Sequence, residues 1–438
     1  MRNAKMFVFV VVVAAIGAGL FYFLGTPAPK VTLRPDTGLT GAGREFAMKL
    51  DGQGGILKKL SVTVTQADRT VNILAKSYPP GSRQAAENFK LAPAGLKEGA
   101  FTLQVNATSS APRFGANRTT TQVHSFTLEN KPPSVEILSI AHNIIQGGAG
   151  LVVYTVSKEV EKTGVVIADQ FYPGYRQAGN FYACLFPFPY DMDPARFVPK
   201  VIAVDRAGNE RLTGITYHLT AKTFSTDRIE LTDAFLGKIA DEFRDKFPQA
   251  KTPLEIFLKA NRDERQQDRK LIFDIGRKTS PVPLWQGPFL RMPNAAPLGG
   301  YAQARDYIYQ GKEVDRQTHL GFDLASLAHA DVPAANRGKV VFAGALGIYG
   351  NGIIIDHGLG LQSLYGHLSR INVKAGDNVE KGQIIGITGA TGMAGGDHLH
   401  FEVNISGQAV NPIEWWDAHW MKDNVTNKLE LGKTTGSK

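Results

Sequence analysis

A chain of 438 residues with a single cysteine, Cys184, can form no intramolecular disulfide and no cysteine-rich zinc site. Cys184 sits among Phe181, Tyr182 and Phe186, the setting of a buried structural thiol rather than a nucleophile. An exact internal repeat is also lacking, so any kinship between modules rests on pattern alone. Acidic excess is absent too: 49 Lys+Arg against 40 Asp+Glu give a net charge of +9. That balance suits an anionic partner (a cell-wall polymer, a membrane surface or nucleic acid) and equally a mildly basic surface with no partner. With 43% hydrophobic and 20% charged residues the chain reads as globular, and its length suggests about three domains.

Charge is missing altogether from residues 6–24, a run of Val, Phe, Ala and Leu preceded by Arg2 and Lys5. The length just spans a bilayer core, and the basic flank predicts the N-terminus inside and the rest outside. A cleaved signal peptide is the competing reading. Ala15, Gly17 and Ala18 offer small residues, but the apolar run continues through Leu20, Phe21 and Phe23. The expectation is an uncleaved, single-pass anchor in the inner (cytoplasmic) membrane, with the body in the periplasm or outside.

After this anchor and linker (1–29), residues 30–131 alternate strand-like runs such as Ile56-Leu57-Lys58-Lys59-Leu60-Ser61-Val62 with Gly and Pro clusters. They read as a β-sandwich module. Pro132-Pro133 opens a second β-rich stretch, 132–222, whose Asp205-Arg206-Ala207-Gly208-Asn209 resembles a turn of bacterial immunoglobulin-like modules. Over 223–282 the period becomes helical. Thr232 is a plausible N-cap before Phe235, Leu236, Ile239 and Phe243, and Thr252-Pro253-Leu254-Glu255 reads as a capping box. The charged stretch 262–270 then reads as a solvated helix face. Residues 283–422 turn Gly-rich and strand-like again, and 423–438 form a polar tail expected to be disordered. The fold class expected is mainly β: two β-sandwich (immunoglobulin-like) modules, a helical hairpin and a C-terminal antiparallel β domain.

That last domain holds the chemistry. On a strand, His398, His400 and Glu402 project one way, and Leu399, Phe401 and Val403 project into a core. Thr318-His319-Leu320-Gly321-Phe322-Asp323-Leu324 repeats the logic: His319, Gly321 and Asp323 share a face, the glycine leaving room between two potential ligands. Tyr365-Gly366-His367-Leu368 adds another imidazole. Two histidines with one carboxylate and an open fourth position form a catalytic zinc arrangement, and a structural zinc site would fill all four, usually with cysteine. Glu402 reads as an exposed or supporting carboxylate rather than a ligand, and His357 as a turn or supporting residue.

The pairing of His-Leu-Gly-Phe-Asp (319–323) with His-Leu-His (398–400) and an intervening Gly-His-Leu (366–368) resembles the lysostaphin-type (LytM-type) zinc metallopeptidases. Val373-Lys374-Ala375-Gly376-Asp377, Gly389-Ala390-Thr391-Gly392 and Asn411-Pro412 extend the likeness over roughly 283–420. The resemblance implies His319, Asp323 and His400 as ligands of Zn2+, and His367 and His398 as the pair that orients or deprotonates the attacking water. It implies a peptidoglycan endopeptidase cutting cross-links or stem peptides. Peptidoglycan and cell-division or envelope proteins are then the expected partners, with the membrane reached through the N-terminal helix and no nucleic acid. The alternative is a catalytically silent cell-wall scaffold that regulates another hydrolase. Lys374 and Lys381-Gly382-Gln383 also resemble the hairpins of lipoyl carrier domains, but the turn at Thr391-Gly392-Met393 lacks the attachment lysine.

Overall fold

A computed structural model describes residues 12–13, 27–110 and 117–435. The expected membrane anchor therefore lies outside the described residues apart from Val12 and Val13; among those described, no helix is long and apolar enough to cross a membrane. The architecture is mainly β. Two compact units separate: residues up to Pro133 with Lys158–Glu161 and Val204–Arg211, and Ser134–Ser157, Lys162–Ala203 and Leu212–Lys438.

In the first unit, alternation builds the sheets. Strand Glu45–Asp51 buries Phe46, Met48 and Leu50 and exposes Ala47 and Lys49, as a period of two requires. It lies between Lys30–Arg34 and Gln84–Lys90. A five-stranded sheet runs in the order Gly38–Thr40, Asn117–Leu128, Gly99–Ser110, Ile56–Gln66, Arg69–Ser77. Phe46 and Met48 from the first sheet meet Val62, Leu103, Val105 and Phe126 from the second in one apolar core.

In the second unit, strands Tyr175–Gln177, Phe181–Pro187, Ala149–Val156 and Val135–Ile137 form a sheet. Its Leu151, Val153, Phe181 and Leu185 share a core with Trp285, Phe289 and Trp415 from the C-terminal region. Helix α1 (Asp233–Phe243) starts where Thr232 accepts the Phe235 N–H at 3.2 Å, and buries Leu236, Ile239, Ala240 and Phe243. Helix α2 (Pro253–Lys259) starts where Thr252 accepts the Glu255 N–H, with Glu255 reaching back to the Lys251 N–H at 2.6 Å. A π-helical turn, Ala260–Glu264, leads into α3 (Arg265–Gly276).

The charged stretch before Ile272 is solvated on one side, at Arg262, Asp263 and Lys270, but not on the other. Glu264 and Asp268 are buried; Arg262 pairs with Asp315 at 2.9 Å, and Asp268 accepts the Ile348 N–H at 2.8 Å. Ile272 of α3 packs on Leu346, Tyr349, Ile354 and Leu364, so this helix covers the sheet that follows. That sheet is antiparallel, in the order Ala296–Gly299, Phe322–Ala325, Leu399–Ile405, Leu361–Leu368, Asn351–Gly358, Gly338–Ala345, Asn378–Val379, with Gln408–Val410 beside Leu399–Ile405. Its central strands, Leu361–Leu368 and Leu399–Ile405, are buried on both faces. Leu399, Phe401, Val403 and Ile405 enter one core, and His400, Glu402 and Asn404 project to the α3 side.

The tail expected to be disordered is helical to Thr435. Helices α4 (Pro412–Trp416) and α5 (Ala418–Met421) are followed by a π-helical turn, Lys422–Thr426, and α6 (Asn427–Thr435). Val425 and Leu429, four residues apart, pack on the core, and Lys428 Nζ donates to the Leu151 carbonyl at 3.3 Å. A narrow apolar stripe sufficed where the average composition is polar.

Glu414, in the first turn of α4, is buried, and its Oε2 accepts the Ala149 N–H at 2.9 Å. Gly148 is needed beside it, because a Cβ there would come 2.1 Å from Glu414 Oε1. Burial pushes the Glu414 pKa up to about 8. A folded-state value above the unfolded one means that this stability is present at acid pH and is lost as pH rises toward about 8. Urea unfolding should therefore show stability falling by up to about 1.4 kcal/mol per pH unit from roughly pH 5 to 8. Glu414→Gln should remove that slope, and an unchanged slope would contradict the assignment.

Candidate metal centre

Cross-strand register builds the centre. Asp323 on Phe322–Ala325 stands directly opposite His400 on Leu399–Ile405, and Gly366 flanks His400 on the other side. His319 arrives from elsewhere, at the end of Lys312–His319, in a sheet with Gln303–Tyr309 and Thr226–Glu230. The continuous strand expected over 318–324 is thus broken at Leu320 and Gly321, where the chain crosses between sheets. Gly321 passes so close to His400 that a Cβ would lie 2.7 Å from its Nε2 and 2.6 Å from the Phe401 carbonyl.

The crossing brings three buried groups together. His319 Nε2 lies 2.9 Å from His400 Nδ1, and both lie 3.0 Å from Asp323 Oδ1. Their outer atoms fix the tautomers. His319 Nδ1 faces the Gly300 carbonyl at 2.9 Å, which can only accept, so the proton is on Nδ1 and Nε2 carries a lone pair. His400 Nε2 faces the Glu402 carboxylate at 3.0 Å, which puts a proton there. With His400 neutral, two imidazole lone pairs and a carboxylate oxygen converge with no hydrogen between them, and only a cation relieves that. Tetrahedral zinc at 2.0–2.1 Å wants ligand atoms about 3.3 Å apart, a few tenths more than the observed triangle. The residues fit such an ion.

Electrostatics agrees. Burial raises the cost of ionising Asp323, but His319, His398 and His400 hold its carboxyl well below the usual range. Burial lowers the His319 pKa to about 4. Burial also works against charge on His400, yet the Asp323 and Glu402 carboxylates outweigh it and raise its pKa. A proton on His400 Nδ1 and a metal ion are therefore alternative occupants of the same triangle.

The other two histidines lie beside the triangle, each tied through Nδ1 to a backbone carbonyl. His367 Nδ1 donates to the Thr391 carbonyl at 2.8 Å, and His398 Nδ1 to the Gly396 carbonyl at 2.9 Å, leaving Nε2 of each as an acceptor. Their rings lie 4.9 Å apart, and His398 Nε2 is 3.4 Å from Asp323 Oδ1. His367 holds φ at 63°, a left-handed backbone that its surroundings must stabilise. Burial keeps it neutral, with its pKa well below the ordinary histidine value.

Behind the site stand Glu402 and His357, both noted in the sequence, and Arg269, Arg305 and Tyr349, which were not singled out beforehand. Of the two readings offered for Glu402, the supporting carboxylate holds and the exposed one does not: it is fully buried and accepts from Tyr349 Oη at 2.7 Å and Arg269 Nη1 at 2.8 Å as well as from His400. Arg269 lies on α3, three residues before the buried Ile272, so helical spacing was the signal that the charge around it masked. Arg305 Nη2 holds Asp323 Oδ2 at 2.6 Å, which turns Oδ1 inward. His357 is structural: it bonds the Arg337 carbonyl and Ser363 Oγ, each at 2.8 Å. Tyr307 packs on Phe257, and Tyr309 bonds Asp233 at 2.8 Å, so neither reaches the centre.

Residues 317–412, which contain all five histidine and aspartate positions, match Peptidase family M23. The DD-carboxypeptidase/endopeptidase Mpg of Neisseria meningitidis serogroup B is 43% identical over 95 residues, 22% of each chain. The murein hydrolase activator EnvC of Escherichia coli is 37% identical over 95 residues, 22% of this chain and 23% of that one. The catalytic domain of lysostaphin from Staphylococcus simulans is 34% identical, covering 28% of this chain and 92% of that one, with a TM-score of 0.24. The chain thus spans about a fifth of the length of the curated relatives it matches.

Arg269→Met would leave Glu402 buried without its cation and His400 less firmly oriented. Zinc affinity, measured by chelator competition, should fall about 10- to 100-fold. Unchanged affinity would show that the ion pair does not support the ligand.

Proposed function

Starting from residues 317–412 as a Peptidase family M23 domain, we propose that the protein is a zinc-dependent endopeptidase that hydrolyses peptide bonds of bacterial peptidoglycan. The observation that carries this reading is the convergence of His319 Nε2, Asp323 Oδ1 and His400 Nδ1, with His367 and His398 beside them. His319, Asp323 and His400 hold the ion, whose bound form supplies Lewis-acid polarisation of the scissile carbonyl and a water pKa near 7. His367 and His398, each with Nδ1 committed to a backbone carbonyl and Nε2 left as an acceptor, take the proton from the attacking water and return it to the leaving amine. Proton transfer of this kind contributes roughly 10²–10⁴-fold. Arg305 and Glu402 keep Asp323 and His400 in register throughout the cycle.

The uncharged segment 6–24 and the net charge of +9 support a place at the cell envelope, anchored by a single pass with the body outside the cytoplasm, against an anionic wall. A second reading, activation of a separate hydrolase, is favoured by the similarity to EnvC. The complete set of five site residues weighs against it, since a protein that only docks has no need of converging lone pairs. Digestion of purified sacculi by the zinc-loaded protein should release new peptide termini, seen by mass spectrometry, and a chelator should abolish them. No new termini across several wall types would overturn the enzymatic reading.

A further inference from the structure

The loop 389–397, between the last two motifs of the site, contains Gly389, Gly392, Gly395 and Gly396. Glycine gives up more freedom on folding than any other residue, so such a loop needs external restraint to hold one shape. It needs one, because its Thr391 and Gly396 carbonyls accept the Nδ1 protons of His367 and His398. The restraint comes from α1, more than 140 residues upstream in sequence. Lys238 Nζ donates to the Ala390 and Ala394 carbonyls, each at 2.7 Å, and so closes the neck of the loop. One helical turn on, Glu242 Oε1 accepts the Gly392 N–H at 2.8 Å.

We propose that Lys238 and Glu242 are positioning residues for the centre: from α1 they set the loop whose carbonyls orient the two non-ligand histidines. The dependence is unequal. Thr391 has anchors of its own, its Oγ1 bonding the Leu368 carbonyl and the Asn351 N–H at 3.0 Å each, with the Met393 N–H on the Ile348 carbonyl at 2.9 Å. On the Gly396 side, apart from the Lys238 bond, the restraints are the His398 N–H on the Gly389 carbonyl at 3.1 Å and Asp397 Oδ2 accepting the N–H of the exposed His329 at 3.1 Å, neither of which bonds Gly396 itself. His398 is therefore the ring that depends on α1, and His367 keeps its place without it. The functional domain then begins at the helices, well before residue 317.

The proposal rests on the reading of His367 and His398 as proton carriers, and the test separates the two. In the full-length protein, Lys238→Met with Glu242→Gln should leave zinc content unchanged and lower kcat on sacculi about 10- to 100-fold, with KM little altered. Lys238→Arg, which still offers donors to two carbonyls, should retain most of the wild-type rate. In histidine-selective ¹⁵N spectra the Nδ1–H signal of His398 should broaden in the double variant while that of His367 persists. An unchanged His398 signal, or kcat within twofold of wild type, would overturn the proposal. If the wild type proves inactive on every wall, the proposed function falls, and the imidazole signals alone decide whether α1 positions the ring.

Discussion

Three electron pairs pointed at one another without a hydrogen between them are the constraint on which this site depends. His319 and His400 each have their proton on the outer nitrogen, drawn there by the Gly300 carbonyl and the Glu402 carboxylate, and Asp323 completes the triangle. Such an arrangement is unfavourable in a dry interior unless a positive charge sits at its centre. The residues around it keep that demand from collapsing. Arg305 holds the outer oxygen of Asp323, Arg269 and Tyr349 hold Glu402, and the buried strands on either side fix the backbone.

The fold around the centre follows from bringing chains from different places to that point. Asp323 and His400 meet by ordinary antiparallel register, but His319 belongs to another sheet, and the crossing between them passes a glycine against the His400 ring. Helix α3 then covers what an antiparallel sheet commonly leaves to solvent, and α1 bonds the loop beside it. One contributes the cation behind Glu402, the other the clamp on the glycine-rich loop. The two histidines of the 398–400 strand consequently play different parts: one is held on its outer nitrogen by a carboxylate, the other by a backbone carbonyl.

Much of this was legible from residue order. The period of two over 398–403 placed Leu399, Phe401 and Val403 in the core and the histidines on the opposite face, and the structure has them so. Thr232 and Thr252 marked helix starts because capping is local chemistry. What could not be read was non-local. The break at Leu320 and Gly321 depends on the His400 ring, which lies far away in sequence. Arg269 sits in a charged run whose average hides that one position faces inward. The tail looked disordered because two apolar contacts, Val425 and Leu429, outweigh its polar composition only once the partner core exists.

The central claim is the division of labour between His400 and His398, and metal analysis of two single variants tests it most directly. His400→Ala should lose its bound zinc at equilibrium with a competing chelator, while His398→Ala should retain zinc at the wild-type level and lose turnover. Zinc retained in His400→Ala, or lost equally from both, would contradict the account.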